Sequence, residues 1–354
     1  MKRLLSILLA LLLLSGCAAT VLTTDDTTAP PTEVQTRPTE PPFAWQLNLD
    51  EALSEQLRGA VDGTDILSIV VVQNGAIAGE YYKEGYHEKS LFPMHSCTKS
   101  VTSALIGIAL EEGLIESVDT LIADFFPQIA GEKNREDITI RHLLEQTSGI
   151  EWPEWGNGAA KWFSFVTSAN WVDHVLSKPM AAKPGAVFNY STGNTHLLSA
   201  ILDQVSGDAL AFAESRLFAP LDIENYELNS DPQGIIDGGS GLSMATRDAA
   251  KFGQLYLHGG KWEGRQLVPA AWAEESTKPH SAGYNRYGQY GYQWFIKKFG
   301  EYDAYYAVGH GGQYIIVVPE LELVTAINSG TFGNIYTPQT VFQEYILKKI
   351  SSPS

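Results

Sequence analysis

The chain has 354 residues, a formal charge of −17 and 44% hydrophobic residues. So acidic a surface repels phosphate backbones and anionic headgroups, which excludes nucleic acid as a partner and non-specific binding to anionic lipid. Its two cysteines and eight histidines form no cluster at metal-ligand spacing, and no metal or organic cofactor is implied.

Lys2 and Arg3 precede an apolar run, Leu4 to Leu14, that is too short to span a bilayer. Leu14-Ser15-Gly16-Cys17 closes the run and resembles the lipobox of bacterial lipoproteins. We read residues 1–16 as a signal peptide whose removal leaves Cys17 as a lipidated N-terminus; an ordinary secretory signal that ends near a cysteine is the alternative. Several acyl chains on one residue give a stable anchor where a single chain does not. Residues 17–45 are rich in Thr and Pro, with Pro30-Pro31 and Pro41-Pro42, and cannot bury a core, so they read as an extended tether. Residues 46–354 form the folded domain, with no internal repeat and no second linker. Lipidation of Cys17 leaves Cys97 without a partner, so no intrachain disulfide is expected and Cys97 reads as a small packing residue.

Within the domain, Leu49 to Val61 has helical spacing. Ile66 to Gln73 is a β-branched apolar run, Asn74-Gly75 is a two-residue hairpin turn, and Ala76 to Lys83 continues as the second strand. A long apolar helix is expected from Ser96 to Glu112, stopped by Gly113. Thr139 caps a short helix, Ile140 to Gln146, in which His142 reads as structural. Trp152, Trp155, Trp162 and Trp171 then fall within twenty residues and either plug a core or wall a substrate cleft. Helices follow at Thr195–Val205 and Ala209–Phe218, the latter after Gly207. Gly238-Gly239-Ser240-Gly241 is a tight turn that either approaches a ligand or serves as a plain loop. Thr246 is expected to cap a helix running to His258. Beyond Gly288 the pattern becomes strands, at Gly291–Lys297, Tyr305–Gly309, Tyr314–Val318 and Leu323–Asn328, and Pro338–Ile350 closes the chain as a helix. Strands at both ends and helices between them predict an α+β fold. Its antiparallel sheet is built from both chain ends, flanked by helices, beside a mainly helical lobe, with a cleft between the two.

Ser96-Cys97-Thr98-Lys99 opens the long helix. A serine and a lysine three residues apart share one helix face, and the serine lies in the first turn, where free N–H groups favour developing negative charge. A lysine desolvated by Val101, Ala104, Leu105 and Ile108 can lose its proton and serve as a base. A helix cap beside a solvated lysine has the same sequence, so the context of the pair decides. Two further polar elements follow: Tyr190 ahead of a helix, and His310-Gly311-Gly312 ahead of the strand Tyr314–Val318.

In this order the elements resemble the motifs of the serine β-lactamase and D-alanyl-D-alanine peptidase superfamily. The closer resemblance is to its class C-related branch of esterases and 6-aminohexanoate-dimer hydrolases. Ser96 and Lys99 match Ser-x-x-Lys, Tyr190 matches the tyrosine of Tyr-x-Asn, and His310-Gly311-Gly312 matches Lys-Thr-Gly or His-x-Gly. Ile138–Gly149, Gly241–Tyr256 and Gly309–Val318 support the likeness, which covers nearly the whole domain. The resemblance implies a β-lactamase/transpeptidase-like fold, Ser96 as nucleophile, and Lys99 and Tyr190 as acid/base groups. It also implies an oxyanion hole from the backbone N–H groups of Ser96 and Gln313, and substrate contacts at His310, Gly311 and Gly312. Two departures bear on substrate. Thr192 stands where the family has asparagine, with Asn194 nearby at another spacing. His310 and Gly311 replace the lysine and threonine that would bind a carboxylate.

The expectation is an extracytoplasmic, membrane-tethered serine hydrolase acting on an ester or amide in a small molecule or peptide. D-alanyl peptidase or β-lactamase activity, or a silent envelope-binding protein of the same fold, are the alternatives. If Cys17 carries the anchor, Cys17→Ser moves the protein from the membrane to the soluble fraction; membrane association unchanged in the variant, with no lipid on the wild type by mass spectrometry, contradicts it.

Overall fold

The computed structural model describes residues 44–154, 158–330 and 332–351, all within the unit Pro42–Ser354. The signal peptide, Cys17, most of the tether and Trp155 lie outside the described residues. No helix among the described residues is long and apolar enough to cross a membrane.

A nine-stranded sheet organises the domain. From edge to edge its strands are Gln46–Leu47, Ala76–Tyr82, Ile66–Gln73, Leu323–Ser329, Gln313–Val318, Tyr302–Gly309, Phe295–Phe299, Gly288–Tyr290 and Ser281–Tyr284. The two chain ends meet in its centre, where Val70 pairs with Ala326 and Val72 with Val324. Every neighbouring pair is antiparallel except the edge pair Gln46–Leu47 with Ala76–Ile77, so the expected antiparallel sheet carries one parallel edge.

Side chains alternate across this sheet with a period of two. Val70, Val72, Ile315, Val317, Val324 and Ala326 face a core shared with the helices Thr98–Glu111 and Thr246–Leu257. Ile69, Val71, Ile316, Val318, Leu323 and Ile327 face the other way, against Leu53 and Leu57 of the helix Glu51–Val61 and Phe342 and Ile346 near the C-terminus. Both faces are covered, which is why these strands read as continuous apolar runs and not as alternating ones.

Several boundaries differ from the expected ones, each for a local reason. The helix expected at Thr195 starts at Thr192, because the Ser191 side chain accepts the Asn194 N–H as N-cap. Thr246 is the first helical residue and not the cap. Its hydroxyl is taken by Asn328 Nδ2 at 3.0 Å and Ser68 Oγ at 2.6 Å on the sheet. Of the strand expected over Gly291–Lys297 only the part from Phe295 forms, within Phe295–Phe299, because Gln293 turns to φ 67° and its side chain reaches the carbonyls of Leu143 and Leu144. The helices begun at Ala209 and Thr337 each pass into a wider π turn, Glu214–Phe218 and Phe342–Leu347.

The helix Thr98–Glu111 runs through the centre of the domain and is buried from Thr98 to Ala109. At Gly107 a Cβ would lie 2.3 Å from the Trp272 ring, so the glycine is needed for close packing. Glycine in a helix interior ordinarily costs up to about 1 kcal/mol relative to alanine. Overpacking of about 1–3 kcal/mol reverses that sign here. Gly107→Ala is expected to lower the melting temperature by a few degrees in a thermal melt; a rise would show that the ring moves aside freely.

Candidate active site

The short 3-10 turn His95–Cys97 and the helix behind it place Ser96 just after the strand Leu91–Pro93 and beside the strands Tyr302–Gly309 and Gln313–Val318. His95 sits at φ 46°, in the left-handed region that a β-carbon disfavours, so the backbone is bent sharply just before the serine. Two hydrogen bonds and one close backbone approach hold the bend. Met94 N–H donates to Leu242 O at 2.8 Å, Thr98 Oγ1 donates to His95 O at 2.6 Å, and a Cβ at Gly309 would lie 2.4 Å from Met94 O. The Cys97 thiol points at Gln313 O at 3.6 Å and is fully enclosed, which pushes its pKa up and leaves it inert as a nucleophile.

Lys99 is 0% exposed. Its nitrogen lies 3.1 Å from Ser96 Oγ, 3.1 Å from Thr192 Oγ1 and 2.7 Å from the Gly239 carbonyl, and as an ammonium it can donate to all three. Burial lowers its pKa from the ordinary value of 10.5, against the opposing charges of Glu154 and Asp237. Tyr190, also buried, places its ring centroid 5.1 Å from the amine and shares a hydrogen bond with Ser96. Burial and the neighbouring Tyr290 raise the Tyr190 pKa well above 10.0, so the phenol keeps its proton at neutral pH. The structure therefore brings Ser96, Lys99 and Tyr190 into one cluster from the start of one helix and the loop preceding another.

The remaining residues singled out in sequence fall nearby but differ in exposure. His310 is exposed, with its ring 5.8 Å from that of His95 in an edge-on arrangement. His95 itself is held at a pKa of about 4, by burial first and then by the charges of His310 and Lys99. Gly311 and Gly312 are buried in the turn at φ 81° and 103°. Gln313 begins the strand beside Cys97. Its side chain ties the turn together by donating to His310 O at 3.0 Å and Ser329 O at 3.1 Å and accepting from Ser329 N at 2.8 Å. Asn194 is occupied elsewhere: it accepts from Ser148 and donates to Gln146 in a buried network. His142 lies in a capping box with Thr139, a structural role.

Three participants carried little sequence signal. The Gly239 carbonyl is presented by a turn that Asp237 organises, accepting from Gly239 N, Ser240 N and Ser240 Oγ. The glycines there serve steric closeness: a Cβ at Gly238 would lie 2.2 Å from Ser199 Oγ, and one at Gly239 would lie 2.7 Å from Thr192 Cγ2. Thr192 links Lys99 to Glu154, whose Oε1 accepts the threonine hydroxyl at 2.5 Å. Glu154 belongs to the tryptophan-rich segment. Trp152 and Trp171 are buried against Phe165, whereas Trp162 is 48% exposed. Trp152, Glu154, Trp162 and His174 also line a cavity of about 140 Å³, so this segment fills core and walls a cleft at once.

A family profile named Beta-lactamase matches residues 49–339. The chain belongs to the beta-lactamase family. A 6-aminohexanoate-dimer hydrolase from Paenarthrobacter ureafaciens is 24% identical over 220 residues, covering 58% of this chain and 56% of that protein. The chain thus spans little more than half the length of that relative. Among solved structures, EstCE1, a hydrolase with promiscuous acyltransferase activity, superposes with a TM-score of 0.68 at 16% identity, covering 84% of this chain and 98% of the other. A penicillin binding protein from Bacillus halodurans gives 0.67 at 16% identity, with coverage of 81% and 99%. These structural likenesses establish the β-lactamase-like α+β fold, and the clustered serine, lysine and tyrosine give the chain the layout of a serine hydrolase.

Proposed function

We propose that this serine hydrolase of the beta-lactamase family cleaves an ester or amide through an acyl-enzyme on Ser96. One observation carries the proposal: a fully buried lysine amine 3.1 Å from a serine hydroxyl, with its pKa lowered by burial. Ser96 Oγ attacks the substrate carbonyl while its proton passes to Lys99 Nζ. Tyr190, kept protonated by burial, gives its proton to the departing alcohol or amine and is reprotonated from Lys99. Water, deprotonated by the same groups, then releases the acid and restores Ser96. Developing negative charge on the carbonyl oxygen is met by the backbone N–H groups of Ser96 and Gln313. The relative described as a 6-aminohexanoate-dimer hydrolase and the structural neighbour described as a hydrolase with promiscuous acyltransferase activity support acyl-transfer chemistry on an ester or amide.

The surroundings favour neutral substrates. His310-Gly311-Gly312 offers neither a lysine ammonium nor a threonine hydroxyl to a substrate carboxylate. Thr192 carries a hydroxyl that Lys99 and Glu154 already engage, and the Asn194 amide is engaged by Gln146 and Ser148, so neither offers a free side-chain amide to a substrate. The N-terminal segment adds a location: lipidated at Cys17 and spaced by residues 17–45, the hydrolase works outside the cytoplasm beside the membrane.

The test compares kcat/KM for a short-chain aryl ester and a chromogenic cephalosporin at neutral pH, with Ser96→Ala as control. The ester is expected to be favoured about tenfold or more, the worth of one lost charge-assisted hydrogen bond to the carboxylate. Ser96→Ala is expected to abolish turnover and labelling by a phosphonate probe. Cephalosporin turnover above that of the ester would invert the substrate preference, and labelling of Ser96→Ala would remove the serine from its role.

A further inference from the structure

We propose that Glu154 is a positioning residue that aims the Lys99 lone pair at Ser96 by fixing the Thr192 hydroxyl. The proposal rests on the hydrolase assignment above and adds a residue that lies outside the catalytic cluster.

The argument follows donors and acceptors. Glu154 receives three donors: Trp152 Nε1, Thr192 N at 3.0 Å and Thr192 Oγ1 at 2.5 Å. A carboxylate so surrounded acts only as an acceptor. The single hydroxyl hydrogen of Thr192 therefore points at Glu154. What Thr192 turns toward Lys99 Nζ, 3.1 Å away, is a lone pair. The Gly239 carbonyl on the other side, at 2.7 Å, is an acceptor as well. A neutral amine has two hydrogens and one lone pair. Both hydrogens are claimed by Thr192 and Gly239, and the remaining direction faces Ser96 Oγ at 3.1 Å. Without Glu154 the Thr192 hydroxyl is free to rotate and donate to the amine, which would turn the lone pair away from the serine.

Glu154 also acts at a distance as a charge. Lys99 faces Glu154 from the tryptophan segment, Asp237 from the glycine turn, Tyr190 from the loop above, and Cys97 and His95 from its own turn. Glu154 and Asp237 are the acids among them, and each favours the ammonium form. Removing the charge at Glu154 lowers the Lys99 pKa further. Because the base must be unprotonated, activity rises with pH through that pKa, so the acidic limb moves to lower pH.

The experiment measures kcat, KM and the pH dependence of kcat/KM for an aryl ester with Thr192→Val, Thr192→Ser and Glu154→Gln in the full chain, with thermal melts as a check of folding. Thr192→Val is expected to lose about 10- to 100-fold, in kcat more than in KM, and Thr192→Ser to stay near wild type because it keeps the hydroxyl. Glu154→Gln is expected to shift the acidic limb downward, which a purely structural residue would not do. Full activity of folded Thr192→Val, or an unmoved acidic limb in folded Glu154→Gln, overturns the proposal. A wild-type protein that neither labels at Ser96 nor hydrolyses any ester or amide overturns the hydrolase assignment itself, and the positioning role falls with it.

Discussion

Burying a lysine amine without an ion partner at contact distance is the constraint around which this domain is arranged. An ammonium removed from water is costly unless an anion meets it, and the three groups that meet Lys99 are a serine hydroxyl, a threonine hydroxyl and a peptide carbonyl. None is charged. Glu154 stands one hydroxyl further away and Asp237 lies behind the turn that carries Gly239. The amine is thus given hydrogen bonds but not a counter-ion in contact, and its neutral form gains. In the proposed mechanism that form accepts the proton of Ser96. Tyr190, pushed in the opposite direction by the same burial, holds a proton to give. One low-dielectric environment therefore shifts the two groups in opposite directions, the amine toward its neutral form and the phenol toward its protonated form.

The rest of the fold supplies the acceptors from distant parts of the chain. The sheet built from both chain ends carries the turn His310–Gly312 and the strand starting at Gln313. The helical lobe supplies Tyr190 and Thr192 at the start of the helix Thr192–Ser206. The glycine turn Gly238–Gly241 crosses from the lobe to the short strand Leu242–Ala245, which pairs with Leu91–Pro93 just before Ser96. Each approach is close enough that glycine is required at Gly238, Gly239 and Gly309, where a Cβ would meet atoms at 2.2, 2.7 and 2.4 Å. Close-packed interiors do not yield smoothly to such intrusions, so the geometry at Lys99 is rigidly specified.

Much of this was legible in the residues, for reasons that are themselves physical. The hairpin Ile66–Gln73, Asn74-Gly75 and Ala76–Tyr82 lies where its β-branched run and turn dipeptide put it. The burial of the helix after Ser96 follows from its apolar composition, and the clustering of Ser96 with Lys99 from helical spacing. The partners of Lys99 were less legible. Gly239 contributes a backbone carbonyl, which every residue possesses. Glu154 meets Thr192 across 38 positions, and no local pattern announces such a pairing. Thr192 was noticed as a departure from asparagine, but its role depends on a hydrogen-bond direction that only the neighbouring carboxylate determines.

The most direct measurement is the titration of Lys99 itself. In protein labelled with ¹³C at the lysine ε-carbon, the Lys99 resonance can be assigned by its loss in Lys99→Met and followed with pH. Burial among uncharged acceptors predicts a midpoint below the 10.5 of an ordinary lysine, well separated from the exposed lysines of the chain. A Lys99 resonance that titrates together with the exposed lysines, or above them, would show a charged amine at rest and contradict its proposed role as the base that activates Ser96.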